Sequence, residues 1–303
     1  MTRRFPDDFL DVLLRDETLA RYSALRLGGP ADWLFVAQAD TAPETVSELL
    51  EAAWASGMPV RVLGGGSNTL ISDTGARGLV VVNRMNALAY DEQGAMAASG
   101  AALTVLARKF ATKGLAGFEW AASVPGTLGG AVVNNAGAHG GDMAGNVRQV
   151  EVLFADAGLR LLALEDLAYD YRLSSLKARA DKRFLVLRAW LALTPDDPAT
   201  IQARMEAFVS QRKRTQPQGA SLGSIFKNPP GDYAGRLIES CGLKGFTIGG
   251  AQVSPVHANF FINSARASAA DYRALIQHVQ AAVHAQTGVL LHPEVEFFGD
   301  WQP

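Results

Sequence analysis

The chain has 303 residues, 48% of them hydrophobic and 19% charged, the balance of a globular protein able to bury substantial apolar surface in two or three domains. Its 28 basic and 30 acidic residues leave a net charge of −2, which excludes a global field drawing it to nucleic acid or to an anionic membrane, so any polyanion must be held locally. A single cysteine, Cys241, excludes an internal disulfide and a cysteine-rich metal site, and reads as a small apolar residue of a protein in a reducing compartment. Acidic residues interrupt the opening MTRRFPDDFLDVLLRDE where a signal peptide would be apolar, and no run reaches membrane-span length, so a cytoplasmic protein is expected.

In chain order, the alternation in ADWLFVA (31–37) predicts a strand, and PETVSELLEAAWASG (43–57) has a helical period with Pro43 near its start and Gly57 past its end. PVRVLGGGSN (59–68) then runs a β-branched strand into three glycines, a βαβ-like opening with its glycines where ligand loops sit. Strands are predicted over 79–83, 86–91 and 95–99, and a helix over 102–114. The passage ASVPGTLGGAVVNNAGAHGGDMAG (122–145) follows, too glycine-rich for a regular element and too apolar for a disordered linker. Strands over 147–154 and 183–193 bracket EDLAYDYRLSSLK, and TPDDPAT (194–200) is the best candidate linker. A helix over 199–214, short strands near 246–253 and 259–262, a helix over 268–287 and a terminal strand over 291–299 complete a compact α+β unit.

Two glycine-rich passages carry the first chemical signal. Gly64, Gly65 and Gly66, followed by Ser67 and Asn68, allow positive φ and close backbone approach, and successive N–H groups in such a turn form a concave nest for phosphate. The pattern is neither the G-x-G-x-x-G of a Rossmann unit nor a P-loop, which requires Gly-Lys-Ser/Thr. The second passage sets Val124, Pro125, Gly126, Thr127 and Gly130 ahead of Asn134 and Gly137, clustering small residues and backbone donors as around a flat, polar, phosphate-bearing cofactor.

The ordered series YSALRLGGPA, GGGSN, VPGTLGGAVVNNAGAHGG, YRLSSLK, GASLGSIFKNP, AQVSPVHANFFIN and LHPEVEFFG, spanning about residues 22 to 299, resembles the UDP-N-acetylenolpyruvoylglucosamine reductases. The resemblance implies an α+β flavoprotein of the vanillyl-alcohol-oxidase (PCMH) type, with FAD-binding subdomains at 1–84 and 85–196 and a substrate domain at 197–303. It implies non-covalent FAD, NADPH as reductant, and UDP-N-acetylglucosamine enolpyruvate as the substrate reduced to UDP-N-acetylmuramate for peptidoglycan, hence for cell shape and division. Neither nucleic acid, membrane nor metal is an implied partner. The absence of a second dinucleotide fingerprint accords with a family in which NADPH and substrate use one pocket in turn. The direct passage from YRLSSLK to the next strand resembles the shorter branch, which lacks an inserted loop over the substrate.

Reduction of an enol ether places a hydride on one carbon and a proton on its neighbour, so the site requires an acid and an electrostatic clamp for developing negative charge. The resemblance assigns the clamp to Arg172, the proton to Ser224 and substrate polarisation to Glu294, with Asn228 as a substrate contact. Lys227 is an inferred helper of Ser224, although in an extended strand it points to the other face. Within the basic run QRKRTQP (211–217), Arg214 is the candidate for the UDP diphosphate; the other reading is a helix end whose charges complement the dipole. Two positions depart from the family pattern: His292 stands where the family carries Glu, and His139, expected to cover a flavin edge, where it often carries Tyr.

Two further readings stand beside the reductase. The same fold serves FAD-dependent oxidases of sugars or alcohols, and the loops would also serve a non-catalytic nucleotide-sugar binding protein.

Overall fold

A computed structural model describes residues 4–301. The chain divides into two compact units, one formed by residues up to 15, 32–65 and 78–210, the other by 16–31, 66–77 and 211 onward. The chain passes from the first unit to the second between Gly65 and Gly66, inside the first glycine loop. The expected boundary at 84/85 falls within the first unit, and the helix expected to open a last domain at 197 lies mostly in the first unit too.

The first unit contains two sheets. One has the strand order Leu14–Thr18, Pro30–Ala37, Ala76–Asn83, Val60–Leu63, with Val60 opposite Leu79 in a parallel pair. Helix α1 (Pro43–Ala55) joins Pro30–Ala37 to Val60–Leu63, starts at a proline with fixed φ, and buries Val46, Leu49, Leu50 and Ala53, while residues 64–75 connect the two strands of the parallel pair. The second sheet is antiparallel, in the order Gly158–Ala163, Val147–Phe154, Phe184–Ala192, Gly94–Ala98, Leu88–Asp91. Its centre is apolar on both faces, since Leu185 and Leu187 enter one core while Val186 enters another, the period-two consequence of the FLVL run. Helix α2 (Leu103–Thr112) buries Leu103, Leu106, Ala107, Phe110 and Ala111, the spacing of one helical face.

The glycine-rich passage is more regular than its composition predicts. It contains helix α3 (Leu128–Asn134), whose Leu128, Ala131 and Val132 are buried and whose Gly129 lies so close to Ser99 that a Cβ would stand 2.9 Å from the serine Cβ. Tertiary burial here overrides a low helix propensity. A short helix α4 (Ser175–Ala178) follows Ser174, whose side chain caps it, and α5 (Pro198–Thr215) runs to the end of the first unit and into the second.

The second unit carries an antiparallel sheet in the order Ser221–Ser224, Phe260–Asn263, Ala251–Val253, Thr247–Ile248, with helices α6 (Ala234–Ser240) and α7 (Ala269–Thr287). A capping box of Ser268 and Asp271 starts α7 and Gly288, in the left-handed region, ends it. The terminal strand is shorter than expected, Glu296–Phe298, paired in parallel with Thr69–Ile71; upstream, Pro293 forms only an isolated bridge with Phe226. The strand Gly158–Ala163 and helix α6 were not legible from periodicity, the first being a sheet edge whose leucines Leu159 and Leu161 are exposed without a polar alternation and the second only seven residues long. No helix among the described residues is long and apolar enough to cross a membrane.

Candidate active site

In the first unit, the strand Val60–Leu63 ends at Gly64, and the two glycine-rich passages meet there. A Cβ on Gly64 would stand 2.3 Å from Thr127 Oγ1, and one on Gly65 3.2 Å from Gly126 Cα. Only residues without side chains allow this approach. The second passage is pinned from behind: Leu103 N donates to Gly126 O at 3.1 Å, Leu128 N to Ala101 O at 2.9 Å and Gly129 N to Ser99 O at 2.7 Å. Two donors at the start of α3 are thereby engaged by the fold itself. Gly130, by contrast, is exposed, and a Cβ there would meet only Thr127 Oγ1 at 3.7 Å. Val124 packs on the adjacent core while Pro125 is exposed. Two backbone segments in contact beside open space fit the flat, phosphate-bearing body of an FAD.

The end of this passage holds Arg172. Asp170 and Leu173 exchange backbone hydrogen bonds at 3.2 and 3.1 Å, closing a hairpin with Tyr171 and Arg172 at its tip and Arg172 at φ 55°. The guanidinium donates to Gly137 O at 2.8 Å and Asn135 O at 3.3 Å, and lies 5.3 Å from the centre of the Tyr171 ring. These two carbonyls orient the guanidinium. Gly137 has a second reason to be glycine, because a Cβ would stand 2.6 Å from Asp142 Cβ in the adjacent hairpin. The Asn134 amide donates to Gly130 O at 3.0 Å and accepts from Lys177 Nζ at 2.7 Å, so its observed partners belong to the protein. His139, at φ 53°, bonds Ser123 Oγ at 3.2 Å and stacks on Phe208 with centroids 4.3 Å apart.

The second unit carries the other residues singled out in the sequence. Gly66, at φ 58°, packs so tightly that a Cβ would stand 2.1 Å from Tyr22 O, and its own carbonyl accepts from Ala24 N at 3.0 Å. Asn68 donates its amide to Glu294 O at 3.0 Å and accepts Glu296 N at 2.9 Å. Ser224 closes a strand in which Ser221 pairs with Ile262 but Ser224 with Phe260, a one-residue bulge with Gly223 at φ 76°. A bulge of this kind re-aims the side chain that follows it, which is why a glycine directly precedes this serine. A Cβ at Gly223 would meet nothing within 4 Å, so the backbone angle, not space, requires glycine.

Beyond Ser224 the chain is clamped by Asn259, which is 3% exposed. Its carbonyl accepts Ile225 N at 2.8 Å, its side chain accepts Phe226 N at 2.9 Å, and its amide donates to Phe226 O at 2.8 Å. Periodicity gave no sign of this residue; its place immediately before the apolar FFI run was the one cue in the sequence, and its burial is decided by the fold. On the other side Glu294 N donates to Ile225 O at 2.7 Å and Lys227 N to His292 O at 2.9 Å, so the backbones bearing Ser224 and Glu294 are adjacent. Asn228 accepts Ala234 N at 3.1 Å and so also closes the turn into α6. His292 is exposed.

The basic run at the end of α5 separates into two kinds of arginine. Arg214 is exposed, whereas Arg212 is half-buried and has no carboxylate partner among the described residues, and burial depresses its pKa. Sequence reading favoured Arg214 and passed over Arg212, whose burial no local pattern announces. In the strand-to-strand turn before Phe260–Asn263, His257 is pushed toward its neutral form chiefly by burial, and its Nδ1 accepts Asn259 N at 3.2 Å. Cys241 is half-buried against the core of the unit.

Residues 34–161 match an FAD binding domain and residues 215–298 match the UDP-N-acetylenolpyruvoylglucosamine reductase C-terminal domain. The chain is 46% identical over 296 residues to the UDP-N-acetylenolpyruvoylglucosamine reductase of Synechococcus sp. WH7803, covering 95% of this chain and 94% of that one. It is 41% identical over 294 residues to reductase 2 of Symbiobacterium thermophilum, at 95% and 94% coverage. The crystal structure of the UDP-N-acetylenolpyruvylglucosamine reductase from Thermus caldophilus superposes with a TM-score of 0.79 at 35% identity, covering 94% of this chain and 98% of that one. The expected α+β flavoprotein fold is therefore borne out, and the chain is an FAD-containing oxidoreductase that belongs to the UDP-N-acetylenolpyruvoylglucosamine reductase family.

Proposed function

We propose that this protein reduces UDP-N-acetylglucosamine enolpyruvate to UDP-N-acetylmuramate with NADPH, in the cytoplasm, supplying peptidoglycan synthesis and so cell shape and division. FAD, when bound, would supply the hydride chemistry between NADPH and the enolpyruvyl double bond. Gly64, Gly65, Gly66, Ser67, Asn68, Val124, Pro125, Gly126, Thr127, Gly130, Asn134, Gly137 and His139 are the residues assigned to hold it. The two FAD-binding subdomains are assigned to 1–84 and 85–196, and the substrate domain to 197–303.

Arg172, aimed by two carbonyls, takes the substrate carboxylate and the negative charge that develops when hydride arrives at the neighbouring carbon. Glu294 polarises the substrate. Ser224 then gives its hydroxyl proton to the carbanionic carbon, forming the new C–H bond; the alkoxide left on Ser224 is reprotonated from solvent, with Lys227 as the nearby cation in the sequence. Asn228 contacts the substrate. For the diphosphate, Arg212 joins Arg214 as a candidate, since a half-buried guanidinium without a carboxylate is better matched to a buried anion than an exposed one.

The observation that carries this reading is the 2.7 Å hydrogen bond from Glu294 N to Ile225 O, which places the backbones of the assigned carboxylate and of the assigned acid side by side. An anaerobic visible spectrum tests it. The flavin band should bleach with NADPH and return on addition of the enolpyruvyl UDP-sugar. A flavin bleached by a sugar or alcohol and not by NADPH, and restored by oxygen, would instead support an oxidase.

A further inference from the structure

We propose that Asn68 is a positioning residue for Glu294, a role that rests on the assignment of Glu294 to the substrate. Parallel pairing between Thr69–Ile71 and Glu296–Phe298 begins with Glu296 opposite Thr69. One step earlier the backbone is leaving Gly66, at φ 58°, and the Asn68 side chain takes over the ladder: Nδ2 donates to Glu294 O at 3.0 Å while Asn68 O accepts Glu296 N at 2.9 Å. An amide side chain has the reach and the donor to replace a backbone N–H in this way.

The consequence is specific to Glu294. Its N–H is held by Ile225 O at 2.7 Å, one residue after Ser224, and its carbonyl by Asn68, in the loop assigned to FAD. Both main-chain polar groups of this residue are thus fixed by two different segments of the site. Removing the Asn68 amide releases one of the two and lets the carboxylate pivot on the other. Displacement of a reacting group by about 1 Å is enough to cost a rate on the order of a hundredfold. Besides its assigned place at FAD, Asn68 therefore acts on the substrate step through Glu294.

The test uses the FAD holoenzyme and four variants: Asn68→Ala, the isosteric Asn68→Asp, which lacks the donor, Glu294→Gln, and Asn68→Ala with Glu294→Gln. Stopped-flow spectroscopy measures flavin reduction by NADPH and flavin reoxidation by the enolpyruvyl substrate across pH, and flavin fluorescence gives the FAD Kd. In FAD-saturated protein Asn68→Ala should slow reoxidation roughly 10- to 100-fold, move the pH limb that Glu294→Gln abolishes, and slow flavin reduction far less than reoxidation, whatever its effect on FAD Kd. The double variant should be no slower than Glu294→Gln alone. Asn68→Asp should repeat the effect, so the proposal remains testable if the alanine variant folds poorly. Equal slowing of both half-reactions, an unmoved pH limb, or multiplicative effects in the double variant would overturn the proposal while leaving Glu294 in its role. If Glu294→Gln itself reoxidises at the unaltered rate, the assignment of Glu294 falls and the proposal with it.

Discussion

Gly64 and Gly65 lie against Thr127 and Gly126 at distances that a single Cβ on Gly64 would violate, so the site residues of the first unit are placed by leaving side chains out. Ser224 and Glu294, in the second unit, are placed by polar side chains instead: Asn259 grips the backbone next to Ser224, and Asn68 grips that of Glu294. A backbone site is fixed by shape and tolerates almost no added atom, while an amide-clamped site is fixed by directional bonds and depends on each one. The comparison teaches that the two halves should fail differently under mutation.

The largest effect is expected at the reacting group. Ser224→Ala should lower flavin reoxidation by the enolpyruvyl substrate by about 10²- to 10⁴-fold while leaving bleaching by NADPH unchanged, measured by stopped flow; equal loss of both would remove Ser224 from its role. Next, Asn259→Ala breaks two bonds and leaves two buried backbone groups of Phe226 without partners. A loss of about 2 to 4 kcal/mol in urea unfolding is expected, and an unchanged midpoint would break the contrast by showing that the amide clamp does little.

The glycines sharpen it further. Gly223→Ala must place a Cβ at φ 76° with no steric contact, so only backbone strain of about 1 to 2 kcal/mol is expected. Gly130→Ala meets nothing closer than 3.7 Å, so the apoprotein should unfold at the same temperature while its FAD affinity falls; an unchanged FAD Kd would remove Gly130 from the cofactor site.

A smaller effect concerns an unsatisfied group in the first unit. The Tyr169 hydroxyl is buried without a hydrogen-bond partner among the described residues, and burial, with Asp142 nearby, raises its pKa. Tyr169→Phe should therefore be neutral or stabilising by up to about 1 kcal/mol in thermal unfolding; clear destabilisation would reveal a partner for that hydroxyl. The smallest concerns His257, whose folded pKa is lowered chiefly by burial, with Lys244 lowering and Glu239 raising it. The unfolded chain then binds more protons than the folded one as pH falls below about 6.5. Stability should decline from that pH down through the folded value, and His257→Gln should flatten that part of the curve.

The order of the motifs and the helical and strand periods were legible in the sequence, because each depends on residues within one turn or one pleat. α1, α2 and α7 appear where apolar spacing places them, and GSIFKNP announces its glycine-supported serine. Composition misjudged α3, since two glycines in seven residues are helical only once Leu128, Ala131 and Val132 are buried. The contact between the two glycine passages, the burial that separates Arg212 from Arg214, and the amides of Asn68 and Asn259 were decided by tertiary structure. Each of these joins residues far apart in the chain, and the free energy of such a contact exists only after the backbone has closed the loop between them.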